Sequence, residues 1–147
     1  LKKDGMLTEK KMSEASMEEL KLYGLSSQKS SYLKNLATLT IKNEIDLNSL
    51  SRLKSDEVTN LLIKIKGIGH WTINNYKIFA LQDTNAWPSA DLALQEALRQ
   101  LKDLETRPNE KEMEKIGSVW EPHRAAAALF LWHFYNKVKI EKADYKL

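Results

Sequence analysis

The chain has 147 residues, 42% hydrophobic and 29% charged, the balance of a globular domain with room for one core. It contains no cysteine, which excludes disulfide scaffolds, thiolate zinc sites, iron–sulfur clusters and cysteine nucleophiles within it. A net charge of +3 is too mild to argue for a nucleic-acid partner by itself, and no apolar run approaches the ~18–20 residues of a membrane helix.

Leucine occurs 22 times and valine three times, and glycine and proline together make only 8 residues. That composition favours helices over strands. The expectation is an all-α fold of seven to nine short helices, with residues 1–147 forming a single helical domain. Ser16 stands three residues before Glu19 as a capping box, and Gly24 after Tyr23 reads as a C-terminal stop. The spacing i, i+3, i+4, i+7 recurs in four stretches. They are Leu33/Leu36/Ala37/Thr40, Val58/Leu61/Leu62/Ile65, Leu94/Ala97/Leu98/Leu101 and Ala126/Leu129/Phe130/His133. Ser55, Asp91 and Asn109 are candidate N-caps, and Pro122 sits where a first helical turn accepts it. Residues 125–132 are apolar on every side, which predicts a central helix covered by its neighbours. The lysine-rich ends, 1–11 and 137–147, read as solvated. The opening Leu1-Lys2-Lys3-Asp4-Gly5 has no signal-like stretch, and a start at leucine is expected of a piece of something longer.

The most informative stretch is Leu61-Leu62-Ile63-Lys64-Ile65-Lys66-Gly67-Ile68-Gly69-His70-Trp71-Thr72. It predicts an amphipathic helix ending near Lys64, a tight turn anchored by Ile68, and a second helix from His70, the hairpin spanning 57–81. Glycines at 67 and 69 permit backbone conformations and a close approach that side chains block. Their N–H groups, at the positive end of the following helix, suit an anion such as a phosphate. Gly-x-Gly alone equally fits a plain helix-to-helix turn; lacking a third glycine and a preceding strand, it is not a dinucleotide fingerprint. Asp91, just before an apolar run, reads as an N-cap, and the tryptophans as core aromatics. His70, His123 and His133 lack metal-ligand spacing.

The hairpin segment resembles the helix-hairpin-helix motif of DNA-binding and DNA-repair proteins. Further segments extend the likeness: residues 23–37 upstream, from Tyr23-Gly24-Leu25 to Asn35-Leu36-Ala37, then residues 83–94 with Trp87-Pro88-Ser89-Ala90-Asp91-Leu92-Ala93-Leu94, then Trp120-Glu121-Pro122-His123-Arg124-Ala125-Ala126-Ala127, ending in Leu131-Trp132. Together they resemble the helix-hairpin-helix DNA glycosylase superfamily, in particular its 3-methyladenine DNA glycosylase II-like branch, in order over about residues 17 to 135.

The resemblance implies an intracellular DNA base-excision enzyme, in cytoplasm and nucleoid or in a nucleus, acting on double-stranded DNA as a monomer away from membranes. It implies backbone phosphate contacts at Gly67, Ile68, Gly69, His70 and Thr72, and a monovalent cation, Na+ or K+, on the carbonyls of Ile63, Ile65 and Ile68. No cofactor is required and no iron–sulfur cluster is implied. Asp91 takes the place of the catalytic aspartate. Trp71 stands where glycosylases that also cleave the strand carry a Schiff-base lysine, which implies hydrolysis without a lyase step. Trp71 and Trp120 match the positions that wall the base pocket, where an indole face suits a cationic alkylated purine. Asn75 and Leu92 stand where members carry pocket aromatics, and His123 where some carry tryptophan, which implies a roomier or more polar pocket. Trp87 and Trp132 are left in the core. The family's upstream helix and its wedge are not visible before Leu1.

Two other readings stay open on the sequence. One is a non-catalytic helix-hairpin-helix module that clamps duplex DNA. The other is a glycosylase of the same superfamily acting on mismatched bases.

Overall fold

A computed structural model describes residues 8–144, with side-chain surroundings through residue 138. Of the lysine-rich ends, residues 1–7 and 145–147 lie outside the described residues. Every described element is helical, as the composition predicts: α1 (Glu9–Glu14), α2 (Met17–Leu22), α3 (Ser27–Ile41), α4 (Ser55–Leu62), α5 (His70–Phe79), α6 (Leu92–Leu101), α7 (Glu110–Gly117) and α8 (Arg124–Asp144). Short 3-10 turns lie at Leu50–Arg52 and Ser118–Trp120. The residues group into two compact units, divided between Gly69 and His70.

In the first unit the caps follow the sequence. Ser16 Oγ accepts from Glu19 N at 3.0 Å, and α2 stops at Gly24, whose φ of +82 is open to glycine. Met12, Ala15, Leu20 and Ala37 form a small apolar cluster between α1, α2 and α3. Lys34 on α3 fastens it by donating to the carbonyls of Ser13, at 2.7 Å, and Ala15, satisfying backbone left over where α1 ends. The start of α4 differs from the expectation. Ser55 is the first helical residue, and Lys54 occupies the cap position with its N–H donating to Glu57 Oε2 at 2.8 Å. Here the N3 carboxylate satisfies the cap without a hydroxyl.

The second unit is built around Trp87. It is 2% exposed, its Nε1 donates to the Met113 carbonyl at 3.1 Å, and Gly117 lies under the ring. A Cβ at Gly117 would stand 2.7 Å from the indole, so only glycine leaves room. Leu94, Ala97 and Leu98 from α6, Met113 from α7, and Ala125, Ala128 and Leu131 from α8 complete the core. Asn109 forms the predicted box at α7, accepting from Glu112 N at 3.1 Å while Glu112 Oε2 accepts from Asn109 N at 2.8 Å. Outside the core, Glu96 accepts from Arg99 Nη2 at 2.8 Å and from Gln100 Nε2 at 2.7 Å, which holds its carboxyl down at about 2.

Two expectations for the last helix are corrected. The stripe Ala126/Leu129/Phe130/His133 is the exposed side of α8; the buried stripe is Ala125/Ala128/Leu131. With apolar residues on both faces, periodicity alone does not choose the face, and packing against α6 and Trp87 does. Pro122 lies in the turn before α8, which begins at Arg124, and not in its first turn.

Candidate active site

The candidate hairpin runs along the chain from α4 to α5, with the turn at 63–69 in the first unit. The first helix ends at Leu62, two residues earlier than expected. Ile65 is buried and its carbonyl accepts from Ile68 N at 3.0 Å, closing the turn; Ile68 is half-buried, short of a full core anchor. Gly67 has a φ of +85, and a Cβ there would run into the Tyr32 ring. Asn35 Oδ1, one turn along α3 from Tyr32, accepts from Lys66 N at 2.9 Å. The turn is therefore shaped from outside by two side chains of α3. Gly69 has open space where a Cβ would go. Among the described residues, no acceptor meets the N–H of Gly67 or Gly69. His70 is exposed and Thr72 half-buried at the start of α5.

The second unit holds the carboxylate. Asp91 is the N-cap of α6 and only 6% exposed; its Oδ1 accepts from Ala93 N at 2.9 Å and from Leu94 N at 3.0 Å. The capping role read from the sequence is therefore real, and the helix's positive end favours negative charge there. The loop that delivers Asp91 is itself tied down. Gln95 Nε2 donates to the Ser89 carbonyl at 2.9 Å, Asp91 N to the Pro88 carbonyl at 2.9 Å, and Arg124 Nε to the carbonyl and side-chain oxygens of Asn85 at 3.0 and 2.9 Å.

Capping leaves Oδ2 for another partner, and Trp71 supplies it: the indole Nε1, from the first turn of α5, donates to Oδ2 at 2.6 Å. Trp71 is 50% exposed, so the ring presents a face to solvent beside the carboxylate. A second indole approaches from α8. Trp132 Nε1 donates to Oδ1 at 3.3 Å, and its ring stacks on Phe79 with centroids 5.6 Å apart and planes 26° apart. The carboxylate thus accepts four N–H donors, two from backbone and two from indoles.

Trp132 is the site residue that sequence reasoning missed. The sequence places it in the core, and it does pack there as a half-buried residue, with its N–H also on Asp91. The signal was present in its position one helical turn beyond Ala128, at the edge of the buried stripe. Trp120, expected beside Trp71, lies elsewhere. It packs edge-on against Trp87, centroids 5.6 Å apart, and lines a cavity of about 700 Å³ with Leu98, Lys102, Val119 and Phe130, which neither Asp91 nor Trp71 lines. Asn75 turns back along its own helix, its Nδ2 donating to the Trp71 carbonyl at 2.8 Å, and so supports Trp71. Leu92 follows Asp91 and is 61% exposed. His123 is exposed, and no His/Asp/Glu cluster suited to a metal occurs among the described residues. No helix among them is long and apolar enough to cross a membrane.

Among the described residues the second unit is helical and sets an aspartate at a helix N-terminus between two indoles. The sequence matches the family model of the HhH-GPD superfamily base excision DNA repair protein over residues 1–122, and the chain belongs to that superfamily. It is 32% identical over 126 residues to DNA-3-methyladenine glycosylase 1 of Schizosaccharomyces pombe, covering 85% of this chain and 55% of the relative. It is 31% identical over 130 residues to the alkylbase DNA glycosidase-like protein mag2 of the same yeast, covering 88% and 61%. Among solved structures it is similar to the Schizosaccharomyces pombe 3-methyladenine DNA glycosylase in complex with abasic DNA, with TM-score 0.78, 32% identity, and coverage of 85% of this chain and 61% of that one. The chain spans about half the length of the curated relatives it matches, from 36% to 61%.

Proposed function

We propose that this chain carries the chemistry of a DNA N-glycosylase that releases an alkylated purine from duplex DNA by hydrolysis. The observation that carries the reading is Asp91: a nearly buried carboxylate held at a helix N-terminus and flanked by two indoles, in a chain of a base-excision repair superfamily. Breaking the glycosidic bond of an alkylpurine develops positive charge on the sugar, which a fixed carboxylate stabilises while it orients or deprotonates the attacking water. The leaving base already carries positive charge and needs little protonation, so one carboxylate suffices. Trp71 and Trp132 offer electron-rich faces to such a cationic base once it is flipped out of the stack.

The turn supplies the DNA grip in this reading. Its N–H groups at Gly67 and Gly69 hold a backbone phosphate without reading sequence. A monovalent cation, Na+ or K+, fits the neutral oxygens of Ile63, Ile65 and Ile68 in chemistry, since such carbonyls suit hard cations. It would add positive charge beside that phosphate. The enzyme works as a monomer in the compartment that holds the DNA, cytoplasm and nucleoid or nucleus. The residue at the Schiff-base position is an indole, which cannot attack the sugar as an amine does, so water is the nucleophile.

The test is incubation of the full-length protein with duplexes carrying 3-methyladenine or 7-methylguanine, reading free base and strand breaks separately. Release of base with strand breaks only after alkali supports the reading. A covalent adduct trapped by borohydride overturns the hydrolytic step, and release from mismatched pairs only overturns the substrate class.

A further inference from the structure

We infer that Phe79 is a positioning residue for Asp91, acting through the Trp132 indole. The inference rests on the reading of Asp91 as the reacting carboxylate. Phe79 ends α5 and is 64% exposed, so burial does not account for where its ring sits. Its specific neighbour is Trp132, against which it stacks at 5.6 Å and 26°, the offset arrangement that aromatic quadrupoles favour. Trp132 then delivers its N–H to Oδ1 of Asp91 at 3.3 Å, the longest of the four hydrogen bonds on the carboxylate.

That bond depends most on ring orientation. Oδ1 already receives the Ala93 and Leu94 N–H groups, whose directions are fixed by α6, so the indole must approach along the remaining direction. A tryptophan indole turns about two side-chain torsions, and a stacked ring on one face restrains them. Helix α5 thus reaches the carboxylate twice: directly through Trp71 in its first turn, and about two turns later through Phe79 and Trp132. Holding Asp91 from two sides fixes which oxygen faces the sugar, the kind of preorganisation on which electrostatic stabilisation depends.

The experiment has two readouts on the same variants. The first is the NMR signal of the Trp132 indole N–H, assigned by Trp132→Phe. In the wild-type background Asp91→Asn shifts that signal; in the Phe79→Ala background the further change Asp91→Asn leaves it unmoved, and Phe79→Tyr restores the response. This needs no catalysis, so it stands even if the proposed activity fails. The second is single-turnover base release, expected to slow roughly threefold to tenfold in Phe79→Ala, the rate equivalent of one aromatic pair. Duplex affinity is expected to be unchanged and Phe79→Tyr to recover the rate. An Asp91→Asn shift that persists in Phe79→Ala overturns the inference. So does a loss of duplex affinity with the rate at saturation intact, which makes Phe79 a DNA contact instead.

Discussion

The indole nitrogen of Trp71 lies 2.6 Å from Oδ2 of Asp91, the carboxylate oxygen that the α6 cap leaves free. One side chain therefore joins the helix after the Gly-x-Gly turn to the carboxylate at the start of α6. It does so with a ring that is half exposed to solvent.

Trp71→Phe keeps most of the apolar face and removes the donor, and Trp132→Phe does the same on the other oxygen. Each is expected to slow base release, Trp71→Phe by about tenfold or more because it removes the shorter bond to a charged acceptor. Duplex affinity should hold in both. Single-turnover release alongside a duplex titration checks this, and equal rates in wild type and Trp71→Phe would remove the indole from the machinery.

The two hairpin glycines should fail in different ways. Gly67→Ala combines a φ of +85 with a collision against the Tyr32 ring, so it is expected to lower stability by about 1–3 kcal/mol. Gly69→Ala meets nothing in the protein and should melt like wild type, yet, on the proposed phosphate grip, lose duplex affinity because its methyl would stand in a phosphate's path. Thermal melts and duplex binding on the two variants separate the effects.

Acid stability should report on Glu96. Hydrogen bonds from Arg99 and Gln100 hold its carboxyl at about 2, below the ordinary 4.5. A depressed folded-state value stabilises the protein above the unfolded value, and that contribution fades as pH falls from about 4.5 through about 2. Glu96→Gln should therefore melt below wild type at pH 7, with the gap closing below pH 4.5. A gap that stays constant across the range would show that Glu96 acts through packing alone. Because the pair is partly exposed, salt should narrow the gap at pH 7.

The helical class and several of the helix starts are legible in the sequence. The helical class follows from composition, and Ser16, Asp91 and Asn109 cap the helices they precede because short polar side chains at those positions satisfy orphan N–H groups. What the sequence hid was the facing of α8. A helix apolar all round gives periodicity nothing to select, so the stripe Ala126/Leu129/Phe130/His133 falls on the exposed side, and the reach of Trp132 from the core to Asp91 leaves no mark in the sequence. Trp120, two residues before Pro122, stands in a motif, while its ring packs edge-on against Trp87 and lines a cavity away from Asp91. Tyr32 and Asn35 were invisible as supports of the turn because they come from a helix some thirty residues upstream, a contact that only folding creates.

The central claim is that Asp91 performs the chemistry as well as capping α6, and Asp91→Asn separates the two. Asparagine caps a helix about as well as aspartate, so the variant should still fold and bind duplex, losing only the Trp71 bond because an amide NH2 cannot accept it, whereas without the carboxylate the reaction loses its electrostatic partner. The direct measurement is single-turnover release of 3-methyladenine from duplex DNA by the full-length protein and its Asp91→Asn variant, with a melt on each. The account predicts a modest fall in melting from the lost Trp71 bond and, at a temperature where both proteins are folded, a rate reduced by about a hundredfold or more. Equal rates at that temperature would contradict it and leave Asp91 a helix cap.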